Sequence, residues 1–126
     1  MGVTRQTLDW LERILNTHSH TVKSICELGS QQFMSCSPHI EMSYTKDYWE
    51  SKGITYFSID LNGEADAFRL DLSKHFDLGI TFDLVTDFGT MEQVEDYLMG
   101  FDNMDKLCRV GGLMVHILPI PNHWEG

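Results

Sequence analysis

The chain has 126 residues and a formal charge of −10, and 42% of its residues are hydrophobic. This length predicts one domain with a core of its own, and this apolar content excludes an intrinsically disordered chain. The negative charge argues against a nucleic-acid or anionic membrane partner, and no apolar run is long enough to span a bilayer. The cysteines Cys26, Cys36 and Cys108 are widely spaced and odd in number, which predicts reduced thiols in a cytoplasmic protein.

The first third of the chain predicts a helix, a strand and a second, shorter helix. Leu8 and Leu11 begin an apolar series at helical spacing, which predicts an amphipathic helix over 4–18. "TVKSICELG" then predicts a short buried strand that ends at Gly29. After an irregular, serine-rich stretch, residues 45–52 predict a short helix, with Gly53 as its C-terminal cap.

The remaining chain predicts three further strands, a long helix and a last strand. "ITYFSID" predicts a strand ending at Asp60, "AFRLDLS" a shorter strand ending near Asp71, and "FDLVTDFG" a buried strand. "TMEQVEDYLMGFDNMDKLCRVGG" predicts a helix in which Thr90 and Gln93 form a capping box, and glycines 111–112 end it. "LMVHILPIP" predicts the last strand.

Helices and strands therefore alternate along the chain, which predicts an α/β fold with a mostly parallel sheet and helices on both faces. Right-handed crossovers narrow this to a Rossmann-like, doubly wound sheet in a single domain over 1–126. In such sheets, ligands bind beyond the carboxyl ends of the strands, where the strand order reverses.

Acidic residues stand at four of these predicted strand ends, namely Glu27, Asp60, Asp71 and Asp87. Asp60 is placed to accept the hydroxyl groups of a ribose. It lies 31 residues after Gly29, whereas the dinucleotide-binding pattern has about 20. The loop "GSQQF" also lacks the further glycines that a pyrophosphate needs. The pattern therefore favours a phosphate-free adenosine ligand with a positive centre, such as S-adenosylmethionine.

Five segments of the chain resemble, in their order, the successive motifs of class I S-adenosylmethionine-dependent methyltransferases. They are "ICELGS", "YFSIDLNG", "FRLDLS", "FDLVTDFGTMEQVED" and "DKLCRVGGLMVHILP". The resemblance runs from about Lys23 to Pro119, and it implies a cofactor-binding core over 22–119. Members of this family usually continue with a C-terminal antiparallel hairpin, which we expect this chain to lack. The bare edge at "LMVHIL" would then allow a homodimer.

The resemblance also implies a cofactor-binding role for residues after the first two strands of this core. Glu27, Gly29 and Ser30 correspond to the loop under the methionine part of the cofactor, although the family commonly has further glycines there. Asp60 corresponds to the carboxylate that binds the ribose, and Leu61 to the apolar neighbour of the adenine.

Residues further along the chain are implied on the same basis. Asp71 resembles the acid beside the adenine amino group, and Leu72 the residue that gives a backbone contact. Asp87, Phe88 and Gly89 resemble the segment that lines the site of methyl transfer.

The expected function is methyl transfer from S-adenosylmethionine to a small-molecule acceptor. The loop that contains His123 and Trp124 is a candidate to face that acceptor, and His116 lies on the strand before it. Histidines in such positions are more often ordinary strand or surface residues, so no catalytic residue is assigned. Two other classes stay open, namely a non-catalytic interaction module of the same fold and a nicotinamide-dependent Rossmann-type enzyme. His18 and His20 stand in a turn without further ligands, so no metal site is expected.

Overall fold

The computed structural model describes residues 2–17, 22–29, 32–33, 44–61 and 67–117. A 3₁₀ turn spans Met91–Gln93. The remaining elements are, in chain order, β1 (Gly2–Val3), α1 (Arg5–Thr17), β2 (Ser24–Leu28), β3 (Gln32–Phe33), α2 (Thr45–Ser51), β4 (Thr55–Ile59), β5 (Phe82–Phe88), α3 (Tyr97–Leu107) and β6 (Cys108–Ile117).

Four strands form a parallel sheet in the order β4-β2-β5-β6, and β1 pairs separately with β3. From β2 the chain moves outward to β4 and then returns to the other side of β2 for β5 and β6. The strand order therefore reverses between β2 and β5. The part of the chain that the structure describes is an α/β structure with a four-stranded, all-parallel sheet and three helices, as the alternating pattern predicts.

Both faces of this sheet are covered by apolar side chains. On one face, Leu8 of α1 and Trp49 of α2 pack with Ile25 of β2, and on the other face Met104 of α3 packs with Cys26. Ile25 and Cys26 are neighbours in the sequence, and they serve opposite faces because side chains alternate along a strand. A strand buried on both sides is mostly apolar, as β2 and β5 are. The buried acids Glu27 and Asp87 interrupt these strands, and each accepts hydrogen bonds from protein donors.

Local signals place the first two helices close to their predicted bounds. The hydroxyl oxygen of Thr4 accepts a hydrogen bond from the Thr7 amide at 3.1 Å, which caps the start of α1. Helix α2 ends at Ser51, and Gly53 follows with a φ of +76°, a left-handed conformation that glycine adopts without strain. The C-terminal cap is Lys52, so Gly53, which the sequence predicts as the cap, lies one residue further along.

The strand predicted over "AFRLDLS" is wrong. Phe68 forms an isolated parallel bridge with Ile59, and no longer ladder follows in this described segment. Asp71 instead accepts a hydrogen bond from the amide of Ser73 at 2.8 Å. An aspartate that bonds the backbone two residues ahead stabilises a turn, and this competes with strand pairing.

The long helix predicted over 90–112 is also wrong in its bounds. Asp96 caps a shorter helix, α3, by accepting a hydrogen bond from the Met99 amide at 3.1 Å, whereas Thr90 makes no side-chain cap. Strand β6 begins at Cys108, so glycines 111–112 lie inside a strand. They stand where the register between β5 and β6 shifts, and irregular strand positions of this kind favour glycine.

Candidate functional site

The strands β2 and β4 end side by side next to the reversal of strand order. The amide of Gly29, directly after β2, donates a hydrogen bond to the carbonyl of Ile59 at 2.7 Å. Gly29 has a φ of +76°, so a residue with a side chain would be strained there. Asp60 follows Ile59, and its amide donates to the carbonyl of Phe68 at 2.9 Å. The half-buried carboxylate of Asp60 thus stands beside the turn at Gly29, and the exposed Leu61 follows it.

Glu27 lies two residues before this turn, and its side chain is only 1% exposed. Its Oε2 atom accepts hydrogen bonds from the hydroxyl groups of Thr45, at 2.6 Å, and of Tyr56. Thr45 is the first residue of α2, so Glu27 faces the side of the sheet that α1 and α2 cover. Ser58 and Thr86 flank Glu27 on the neighbouring strands and are buried with it. The structure therefore uses this carboxylate to attach α2 to the sheet.

The electrostatic effect of Glu27 extends to its neighbours. Burial, followed by the negative charge of Glu27 and the hydrogen bond to it, raises the pKa of Tyr56 well above its ordinary value. Tyr56 is consequently a neutral hydroxyl donor throughout the physiological pH range. Burial, again followed by the charge of Glu27, raises the pKa of the Cys26 thiol to about 12. Cys26 is therefore a packed thiol and not a nucleophile.

Asp87, near the end of β5, is 0% exposed and faces the opposite side of the sheet, towards α3. Its Oδ1 atom accepts hydrogen bonds from the amides of Thr90, at 3.1 Å, and Met91, at 3.0 Å. Its Oδ2 atom lies 3.1 Å from Nδ1 of His116 on β6. The ring of His116 in turn lies near the ring of Phe101 on α3, with 5.3 Å between the centroids. One buried carboxylate thus holds both the turn after β5 and a histidine of the next strand.

The turn after β5 joins three strand ends. The hydroxyl of Thr90 donates to the carbonyl of Leu28 at 2.7 Å, and the amide of Gly89 donates to the carbonyl of Ile117 at 3.2 Å. Phe88, the last residue of β5, packs in the core under α1 and α2. The reversal between β2 and β5 is therefore bridged by a hydrogen-bonded turn.

Asp71 and Leu72 lie beyond β4, on the α3 side of the sheet. The Asp71 side chain holds the turn described above, and Leu72 is buried against the core of α3. The carbonyl of Leu72 accepts a hydrogen bond from the side-chain amide of Asn103 at 3.0 Å. The bond from Asn103 attaches the loop after β4 to α3.

The structure thus brings some of the predicted site residues together and separates others. Gly29 and Asp60 are adjacent, whereas Glu27 and Asp87 face opposite sides of the sheet. Ser30 lies outside the described residues, as do His18, His20, His123 and Trp124. Among the described residues, no three histidine, cysteine or acidic side chains are grouped so as to hold a metal ion.

Sequence reasoning missed two features of this region. The bonds from Thr45 and Tyr56 to Glu27 join segments that are remote in sequence, and no local motif announces them. The contact between Asp87 and His116 follows from their being register partners on β5 and β6. The sequence does carry a signal for this contact, because both residues are polar positions in otherwise apolar strands. That signal can be used only when the strand register is known.

No protein-family model matches the sequence, and a search of the curated proteins gives no significant match. In the described ranges, no helix is long and apolar enough to cross a membrane. A functional assignment of this chain consequently rests on its residues and on the geometry of the strand ends.

Proposed function

We propose that the chain is an S-adenosylmethionine-dependent methyltransferase that acts on a small-molecule acceptor. The parallel sheet is then the core of a Rossmann-like, doubly wound fold, and the cofactor lies across the carboxyl ends of β2, β4 and β5. The observation that carries this proposal is the pair Asp60 and Gly29. The half-buried Asp60 follows β4 and lies beside the left-handed Gly29 at the end of β2. Strand β2 borders the reversal of strand order, which is where ligands of such sheets bind.

The residues at this edge suit the cofactor better than they suit a dinucleotide. Asp60 would accept the ribose hydroxyl groups, and the exposed Leu61 would contact the adenine. The backbone at Gly29 would allow close approach of the methionine part. The chain carries a net charge of −10, which favours a ligand with a positive centre over a doubly charged pyrophosphate.

Other predicted residues would act through the loops that they hold. Glu27 attaches α2, Asp71 shapes the loop after β4, and Asp87 fixes the turn that contains Gly89 and Thr90. Their carboxylates accept hydrogen bonds that hold these elements in place, so we assign them to the construction of the site. Asp60 is assigned to the ribose by its position directly after β4, beside the turn at Gly29.

Little covalent chemistry is required of the protein in this reaction. S-adenosylmethionine supplies an electrophilic methyl group, and the chain's own residues must orient the acceptor in line with it and exclude water. A protein base is needed only when the acceptor has to lose a proton at or before attack.

Titration calorimetry with S-adenosylhomocysteine and with NAD tests the proposal. We expect S-adenosylhomocysteine to bind, and the Asp60→Ala variant to bind it about tenfold or more weakly, which corresponds to about 1.4 kcal/mol. Asp105→Ala removes an exposed acid on α3 and is the matched control, with expected wild-type affinity. Binding of NAD alone would replace the proposal by a nicotinamide-dependent enzyme, and an unchanged affinity of Asp60→Ala would remove Asp60 from the site.

A non-catalytic interaction module is the second candidate, and one surface favours it. Leu98 of α3 is 71% exposed, and its neighbour Tyr97 is exposed beside it. Large apolar side chains in contact with water are typical of binding surfaces when they form a patch. A chain that binds neither S-adenosylhomocysteine nor NAD would support this candidate.

A homodimer is proposed through the outer edge of β6. In the described part of the sheet, β6 pairs with β5 and its other edge has no strand partner. Unpaired edges of this kind are templates for a second chain. Sedimentation velocity over a range of concentrations tests this, and a monomer at the highest concentration would contradict it.

A further inference from the structure

The contact between Asp87 and His116 has the arrangement of a positioned base. The Asp87 side chain is 0% exposed, whereas the His116 side chain is 27% exposed. Because Oδ1 of Asp87 is held by the amides of Thr90 and Met91, the carboxylate cannot rotate away from the imidazole. The buried aspartate therefore fixes the orientation of a histidine that reaches the surface.

This contact also determines where the imidazole carries its proton. An ionised carboxylate can only accept a hydrogen bond, so Nδ1 of His116 is the donor across the 3.1 Å separation. In the neutral ring the lone pair is then on Nε2. Nε2 has no hydrogen-bond partner among the described residues, and the side chain of His116 is 27% exposed. His116 thus presents a proton acceptor.

The surroundings of this acceptor are aromatic and apolar. The Phe101 ring lies beside the imidazole at an interplanar angle of 51°. Met114, two residues earlier on β6, shares the face of His116 by strand alternation and is exposed. His116 itself lies one residue before the end of β6, next to the strand end of β5. An aromatic molecule placed here would contact Phe101 and Met114 while a polar substituent meets Nε2.

We propose that His116 is the general base for methylation of a phenolic hydroxyl group, with Asp87 as its positioning residue; this inference rests on the proposed methyltransferase function. Nε2 takes the hydroxyl proton as the acceptor oxygen forms its bond to the methyl carbon. The bond from that carbon to the sulfonium sulfur breaks, and its electron pair stays on sulfur as the neutral thioether S-adenosylhomocysteine. His116 leaves the step as an imidazolium ion and returns the proton to water, so atoms and charge balance.

The need for a base selects the acceptor class. A neutral amine attacks with its own lone pair and loses its proton afterwards, and a carboxylate has no proton to lose. A neutral hydroxyl would become an unstable oxonium unless its proton leaves during attack. The chain's negative charge further disfavours an anionic acceptor.

Long-range ¹H–¹⁵N NMR of the imidazoles tests the positioning without any turnover. We expect the His116 ring to carry its proton on Nδ1 in the wild type. In Asp87→Asn the side-chain amide can donate to Nδ1, and we expect the proton to move to Nε2. His75 is the matched reference, because it is an exposed histidine whose Nδ1 lies near Lys106. Its signals should not change in Asp87→Asn, and a wild-type His116 protonated on Nε2 would overturn the inference.

Methyl transfer from labelled S-adenosylmethionine to phenol and umbelliferone, with benzylamine as the amine probe, tests the acceptor. We expect transfer to the phenols, and we expect His116→Gln to lower kcat by about 10²-fold or more while the affinity for S-adenosylhomocysteine is unchanged. His75→Gln should retain wild-type kcat. Three results would overturn the inference. They are methyl transfer to benzylamine alone, methyl transfer to none of the probes, and methyl transfer to the phenols at an unchanged rate in His116→Gln. Calorimetry separates these failures from failure of the proposed function, in which S-adenosylhomocysteine does not bind.

Discussion

Replacing Asp87 by alanine should destabilise the protein strongly, because its carboxylate is the acceptor for three donors. The amides of Thr90 and Met91 and Nδ1 of His116 would all lose their partner. Breaking a buried charged contact of this kind costs about 3–5 kcal/mol. In Asp87→Asn the remaining oxygen can still accept from both amides, so we expect a loss of about 2 kcal/mol, the difference between charged and neutral hydrogen bonds.

Urea unfolding measures both changes, and the buried Trp49 provides a fluorescence signal. The matched control is again Asp105→Ala, for which an exposed position predicts a change within about 0.5 kcal/mol. A loss below about 1 kcal/mol for Asp87→Ala, with an unchanged denaturant slope, would refute the reasoning. Asp87 would then not hold the turn, and its carboxylate would be available to a ligand.

Two further predictions concern groups outside the proposed site. The half-buried Asp83 accepts hydrogen bonds from the amides of Lys23 and Ser24 and from Arg109; burial opposes them, but they hold its pKa below the ordinary 3.8. The ionised Asp83 therefore stabilises the fold above pH 3.8, and this stabilisation is lost as the pH falls through the lower pKa of the folded state. Asp83→Asn should consequently flatten the acidic part of a curve of unfolding free energy against pH, measured by urea unfolding. An unchanged acidic part would contradict this. Burial raises the pKa of Cys26 to about 12. We therefore expect Cys26 to react with iodoacetamide in mildly alkaline buffer only after unfolding, which peptide mass spectrometry measures. Labelling of Cys26 in the native protein would contradict its burial.

The central strands could be predicted from the sequence because burial on both faces leaves a strong signal. Strands β2 and β5 are short, mostly apolar segments that are followed by Gly29 and Gly89, and this length and flanking favour strands over helices. The segment around Phe68 is different, since its alternating apolar residues favour a strand whereas Asp71 favours a turn, and these are two competing local preferences. Only the packing of the whole sheet decides between them, and it leaves a single bridge.

The start of α3 shows a second limit of sequence reasoning. Thr90 and Asp96 are both good capping residues, and local propensity does not choose between them. In the structure the Thr90 hydroxyl donates to Leu28, a residue far away in sequence, so it is engaged elsewhere. The cap moves to Asp96, and the helix begins seven residues later than the pattern predicts.

The four acids of the strand ends illustrate what a position in sequence can and cannot establish. Glu27, Asp60 and Asp87 lie at or directly after strand ends as the pattern predicts, whereas Asp71 lies in a turn. The face that a strand side chain takes depends on strand alternation and on register. Glu27 is thereby turned to α2 and Asp87 to α3, and each is engaged by protein donors. The position of Asp60, directly after β4 and beside the turn at Gly29, is the feature on which we base its proposed contact with the cofactor. The methyltransferase proposal consequently depends on one carboxylate more than on the group of four, which is why the Asp60→Ala titration has more power to reject it than a change at any other acid.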